Sequence, residues 1–218
     1  MTDRTFDRLP SFDPKSKNYP IRALLTPTTP RSYTWGCTQV LNQGAEGACV
    51  GFGWAGELQA KPVVVPVTND RARQIYHEAQ QLDEWPGENY EGTSVLAGAK
   101  VLQKHGFLSE YRWAFSLDDA LIALGYHGPI VTGFTWKSGM MEPDSEGYIH
   151  YTGDDVGGHC TFWRAVNVRR RGLLVQNSWD LDWGMNGCAH MSWDDFGLAM
   201  ENGGEVCVPV RRDAVGTW

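Results

Sequence analysis

The 218-residue chain reads as an α+β protein in two lobes, helix-rich first and strand-rich last. Three observations point that way. Apolar residues recur at helical spacing in four segments between residues 48 and 125; β-branched and aromatic runs follow from Pro129; and no internal repeat or low-complexity segment intervenes. The expected organisation is a single domain over 1–218, with an arm at 1–36, a mainly helical lobe at about 37–125 and a mainly β lobe at about 126–210. That length can bury a substantial core, and 42% apolar with 21% charged residues is ordinary globular composition.

Residues 1–36 are rich in Pro, Thr and Arg and lack periodicity, which predicts an extended arm across a surface with Trp35 as its anchor. From Ala48 to about Lys61, Val50, Trp54 and Leu58 recur at i, i+4 and i+8. Gly51, Gly53 and Gly56 in that helix each cost about 1 kcal/mol relative to alanine. Burial must therefore hold it, and the glycines imply that another backbone comes close. "VTNDRARQIYHEAQQLDEW" opens with capping residues and puts Ile75, Ala79 and Leu82 on one face. "EGTSVLAGAKVLQKHGF" predicts a third helix, capped near Thr93 and closed by Lys104, His105 and Gly106. "SLDDALIALG" predicts a fourth, with Ser116 and Asp119 in capping-box spacing and Gly125 as its stop. "PIVTGFTW" is a strand, and "HCTFWRAVNV" with "LLVQNSW", joined by "RRRG", is a hairpin. With a plain four-residue loop at 169–172, Asn177 falls opposite Arg164 rather than His159, an offset of about 16 Å on flat strands. A longer turn, a bulge or strong twist is needed to bring the two together.

A net charge of −7 argues against nucleic acid as a partner, and "RRRG", the one basic cluster, reads as a solvated turn. No apolar run approaches the roughly 18 residues that span a bilayer, so no membrane partner is expected. The N-terminal twenty residues lack the apolar region of a secretory signal, and the five cysteines are an odd number without a pairing pattern. Free thiols in a reducing cytoplasm follow as the expectation.

"LNQGAEGACVGFGWAGELQA" at 41–60 carries two competing signals. "GFGWAG" is a literal G-x-G-x-x-G, but no hydrophobic strand precedes it and no strand–helix alternation follows, as a dinucleotide site requires. "QGAEGAC" offers a thiol at a helix start, where unpaired N–H groups and the helix dipole lower a thiol pKa. A cysteine nucleophile also needs a base, an orienter for that base, and donors for an oxyanion. Gln43 can supply an amide N–H₂. Of six histidines, His159 stands apart in "VGGHC", at the mouth of a strand, and Asn177 can fix its tautomer while Trp179 covers their hydrogen bond.

"NQGAEGAC", "GGHC" and "NSWDLDWGMNG" stand in the order found in papain-like cysteine peptidases, and the chain resembles that family over roughly residues 30–200. The resemblance implies a two-lobe fold, helical and antiparallel β-barrel-like, with the active-site cleft between the lobes. It implies Cys49 as nucleophile, His159 as base, Asn177 as its orienter and Gln43 as oxyanion donor. It further implies that Gly92, Thr93, Gly158 and Trp179 contact an extended peptide or protein substrate, with Trp179 lining the primed side. No cofactor and no metal are implied.

The departures are Glu46 and Val50 where the signature C-G-[SA]-C-[WY] has cysteine and an aromatic, and "NSWD" for "N-S-W-G". Separations are 110 residues to His159 (159 − 49) and 128 to Asn177 (177 − 49), shorter than the usual about 130–150. Together these suggest a compact, disulfide-free bacterial or phage form, with an arm too short for the usual helical pro-segment. Cys160 reads as core packing on the opposite strand face. "DLDWGMNG" lacks the ligands and closing Glu of a calcium loop, and Cys188 with His190 lacks a second pair for zinc. The expected activity is a cysteine-type peptidase. The alternatives are an acyl transferase or isopeptidase using the same thiol, or a non-catalytic protein-binding scaffold.

Overall fold

The computed structural model describes residues 4–11, 13–85, 91–213 and 216–218, and among these it has five α-helices and seven strands. Helix α1 (Cys49–Leu58) is buried along its whole length, so it has no polar face. Its glycines mark three crossings. A Cβ on Gly51 would lie 2.2 Å from Ala72 O on α2 (Asn69–Gln80). One on Gly53 would lie 2.8 Å from Cys160 Sγ, and one on Gly56 would lie 2.5 Å from the Phe162 ring, both on β4 (Asp155–Asn167). The close backbone approach expected from the sequence is thus found at Gly51, to α2, whereas Gly53 and Gly56 make room for side chains of β4.

Thr68 caps α2, whose buried face is Ala72, Ile75, Tyr76 and Ala79. In α3 (Val95–Lys104) the cap is Ser94, whose hydroxyl accepts from Ala97 N–H at 3.1 Å, and not Thr93. Thr93 is instead paired to the N-terminal arm. Ser116 caps α4 (Leu117–Tyr126) as its spacing predicts. Gly125 does not stop that helix; it lies in the last turn, where a Cβ would stand 3.0 Å from Arg31 O.

The remaining strands are β1 (Tyr33–Thr34), β2 (Leu108–Trp113), β3 (Ile130–Lys137), β5 (Gly172–Gln176), β6 (Cys188–Ser192) and β7 (Glu205–Arg212). They form one antiparallel sheet in the order β2-β7-β3-β4-β5-β6, with β1 against β4. Among the described residues no ladder joins β2 to β6, so the barrel-like lobe is an open sheet. Strands β2 and β7 and helix α5 (Trp193–Glu201) were not anticipated from the sequence. Helix α5 nevertheless carries the signal that located α4, a Ser192 cap bonded to Asp195.

Two hydrophobic clusters meet at the sheet. The first joins α1–α3 to Val131, Cys160, Phe162 and Cys207. The second joins Phe134, Trp136, Trp163 and Val175 to α4 and α5. Helix α4 lies within the expected helical span yet buries Ala120, Leu121 and Leu124 in this second core. Trp35 anchors the arm as expected, buried with its indole N–H donating to Leu124 O at 2.7 Å. Among the described residues no helix is long and apolar enough to cross a membrane.

Candidate active site

Cys49 is the first residue of α1, and Ala48 before it offers no side-chain cap, so the first-turn N–H groups are left to the cleft. His159 sits in the middle of β4, which begins at Asp155, rather than at a strand mouth. It pairs with Phe134 on β3. The backbone N–H groups of Cys160 and Val50 bear on the Cys49 sulfur, which places the thiol against the His159–Cys160 stretch.

The hairpin register resolves the expected offset. Asn167 pairs with Gly172 across a tight turn, and a bulge between Trp163 and Ala165 shifts the ladder again, so that Phe162 pairs with Gln176. Asn177 then falls beside Thr161, one diagonal step from His159, within side-chain reach. His159 Nε2 and Asn177 Oδ1 are 2.8 Å apart, both buried. The same Oδ1 accepts from Ser178 N–H at 2.8 Å, an obligate donor, so it is the amide oxygen and His159 Nε2 carries the proton. Nδ1 is then the basic nitrogen, and it has no hydrogen-bond partner among the described residues.

Three rings enclose that imidazole. Trp179 stacks on it at 4.7 Å and 18°, Trp136 meets it edge-on at 4.8 Å, and Phe6 does so at 5.6 Å. Trp179 therefore lies where the sequence placed it. Trp136 and Phe6 were missed, since a tryptophan in a core strand and a phenylalanine in an aperiodic arm carry no local signal.

Gln43 is oriented by Ser178, whose hydroxyl bonds Oε1 at 2.6 Å. This turns Nε2 to the carbonyls of Glu46 at 3.0 Å and Thr5 at 3.2 Å. Backbone pairing of Gln43 N–H to Ser178 O, with a bridge between Asn42 and Trp179, ties this segment to "NSW". Ser178 thus positions Gln43, a part that its place in "NSW" does not signal.

Residues 4–9 of the arm lie through the cleft. Asp7 and Arg8 N–H donate to Gly158 O at 3.0 and 2.8 Å, Thr93 N–H donates to Asp7 O, and Leu9 N–H donates to Thr93 O. Arg8 and Thr93 pair in parallel. A Cβ at Gly92 would lie 1.8 Å from Asp7 O, and one at Gly158 would lie 2.1 Å from Arg8 O, so both glycines admit the strand by lacking a side chain. Gly92, Thr93, Gly158 and Trp179 are thus gathered along one groove, with Arg4 over Trp179 at 4.9 Å.

Burial sets the charge of the pair. It pushes the Cys49 thiol up to about 12, against smaller lowering by the Cys160 N–H. It pulls the His159 imidazole down to about 4, against a smaller raising by Asn177. The depressed thiol expected at a helix start is therefore not found with the arm in place, because desolvation outweighs the helix terminus. Thiol and imidazole are both neutral in this state. Cys160 faces away, in the first core against Gly53, as its strand position predicts.

Three comparisons bear on this arrangement. The chain is 16% identical to xylellain, a cysteine protease from Xylella fastidiosa, covering 98% of this chain and 99% of that one at a TM-score of 0.69. It has the papain-like fold. Bromelain from Ananas comosus, solved with the E64 inhibitor, superposes over 84% of this chain and 100% of its own at 0.62 and 15% identity. In sequence, the cathepsin B-like cysteine proteinase 4 of Caenorhabditis elegans is 34% identical over 68 residues, 28% of this chain and 19% of that protein. Cathepsin B of Dictyostelium discoideum is 30% identical over 95 residues, 40% of this chain and 29% of that protein. The chain thus spans less than a third of the curated relatives it matches. No family model matches it.

Proposed function

We propose that the chain is a cysteine-type peptidase acting through Cys49, His159, Asn177 and Gln43. The observation that carries this reading is the tautomer: with Nε2–H held by Asn177, Nδ1 is left as a base beside the Cys49 helix start. In the open cleft His159 Nδ1 takes the Cys49 proton as the sulfur attacks the scissile carbonyl carbon. The oxyanion accepts from Gln43 Nε2 and Cys49 N–H. Collapse breaks the C–N bond, and the imidazolium gives its proton to the leaving amine. Water, deprotonated by His159, then attacks the thioester; the carboxylic acid leaves and the thiol is restored. Substrate takes the extended path along Gly92, Thr93 and Gly158, past Trp179.

The seated arm is the restrained form in this reading. It fills the groove, occupies Gln43 Nε2, and keeps the thiol–imidazole pair neutral. Five unpaired thiols support a reducing, cytoplasmic setting.

The test uses the full chain with the arm loosened by Phe6→Ala and Arg8→Ala. Iodoacetamide at neutral pH, followed by intact mass and peptide mapping, is expected to label Cys49 first, and His159→Ala should abolish that preference. Labelling no faster than at half-buried Cys37 would sink the nucleophile. Cleavage of an unbiased peptide mixture is expected in the same preparation.

A further inference from the structure

Glu46 stands in the turn between Gln43 and Cys49, and both its carbonyl and its carboxylate are engaged. The carbonyl accepts from Gln43 Nε2 at 3.0 Å, from Ala48 N–H at 2.8 Å and from Thr5 Oγ1 at 2.9 Å. The carboxylate meets α2, where Oε2 lies 3.2 Å from Arg73 Nε and Oε1 lies 3.2 Å from His77 Nε2. Arg73 and His77 are four residues apart, so the helix presents both on one face. Helix α2 is itself set against α1 by the close approach at Gly51, and the Arg73 guanidinium lies over the Phe52 ring at 5.7 Å. The turn needs such an anchor. Residues 44–47 belong to no helix or strand, and Gly44 sits at φ +67°, so the backbone has little stiffness of its own. Arg73 and Glu46 are 35% and 34% exposed, and a pair so open to water adds little to stability. Its effect lies in where it puts the Glu46 carbonyl. The Gln43 amide has two N–H bonds fixed in one plane. Ser178 holds Oε1 and the Glu46 carbonyl takes one N–H, so the direction of the other is set. With the arm seated, that second N–H meets the Thr5 carbonyl at 3.2 Å.

We propose that Glu46 is a positioning residue of the oxyanion site. Arg73 and His77 hold its carboxylate, its carbonyl holds one Gln43 N–H, and the other N–H is thereby aimed at the oxyanion once the arm has left. This rests on the peptidase reading above. The contacts run from α2 through the turn to the donor and do not involve the His159–Asn177 pair, so their loss weakens the aim of Gln43 and leaves the base as it is.

The experiment uses the full chain with the arm loosened by Phe6→Ala and Arg8→Ala, and steady-state cleavage of one peptide. Glu46→Ala is expected to lower kcat about 5-fold with KM little changed, the scale of an ion pair at this exposure. Arg73→Ala should lower kcat as well, and the double variant should be no slower than Glu46→Ala, because both act through one contact. Two readouts separate aim from general damage. In a Gln43→Ala chain, Glu46→Ala should cost nothing further. Alkylation of Cys49 by iodoacetamide, which builds no oxyanion, should keep its rate in Glu46→Ala. An unchanged kcat in Glu46→Ala, a loss of the same size without Gln43, or an equal fall in alkylation overturns the proposal. A measurement without catalysis follows the Gln43 side-chain amide by NMR, where Glu46→Ala should speed exchange of its protons with water. In a chain that cuts no peptide, faster exchange in Glu46→Ala supports the hold of Glu46 on Gln43 and overturns the peptidase reading. Exchange that Glu46→Ala leaves unchanged overturns the proposal alone in a chain that cuts peptide, and both readings in a chain that does not.

Discussion

His159 and Gln43 are each held by a partner that decides which of their atoms faces the reaction. Asn177 fixes the imidazole tautomer, and Ser178 turns the Gln43 amide so that nitrogen rather than oxygen meets the oxyanion position. In a chain with the arm loosened, Gln43→Ala is expected to lower kcat about 10²-fold, the loss seen when one oxyanion donor is removed. Ser178→Ala should lower kcat less, with KM little changed, because the donor is retained but no longer aimed. Steady-state kinetics on one peptide checks both, and an unchanged kcat in Gln43→Ala would remove it from the oxyanion site. His159 offers a direct reading of burial. In the intact chain its ring should titrate near 4 by NMR, and Phe6→Ala should raise that value towards the ordinary 6.5 by readmitting water.

The elements show why some of the fold is legible in the sequence and some is not. Helix α1 is readable because Val50, Trp54 and Leu58 recur at helical spacing, and its glycines report neighbours not yet known. Gly51→Ala tests this. Alanine gains about 1 kcal/mol of helix propensity. Its methyl, however, would stand 2.2 Å from Ala72 O, a backbone atom that moves only with α2, and overpacking of this kind costs about 1–3 kcal/mol. Net destabilisation is expected, seen as a lower urea midpoint at unchanged m-value; an equal or higher midpoint would mean α1 and α2 are less tightly apposed. The His159–Asn177 pairing was readable as a motif, but not its geometry, because the bulge at Trp163–Ala165 depends on how β4 packs. Strand β2, "LSEYRW", lacks clean alternation because it is an edge strand with mixed exposure. The arm was legible only as an arm. Beyond Trp35, its contacts are backbone hydrogen bonds and single side chains such as Phe6 and Arg4 meeting distant segments, which leave no period in the sequence.

For the whole molecule, seating of the arm and protonation of the active site are one equilibrium. With the arm seated His159 lies near 4, and once released it returns towards 6.5, so the released state binds more protons between those values. Acidification through that window therefore favours release, by about 3 kcal/mol once complete. Cys49 acts at the other end. Its thiol is raised from 9 to about 12 by burial, so the seated state binds more protons there and alkali also favours release. The seated arm is accordingly best held between about pH 6.5 and 9. Glu205, buried against Arg8 at 2.7 Å, adds to release on the acid side, since protonating its carboxyl removes the charge that holds the guanidinium. The two are separated by substitution. Hydrogen exchange of the Asp7, Arg8 and Leu9 amides, corrected for intrinsic rates, should lose protection as pH falls from 6.5 to 4. His159→Gln, which cannot take up the proton, should flatten that loss. Protection that is constant with pH in the intact chain, or that falls equally in His159→Gln, would show that the arm and the catalytic base are not linked.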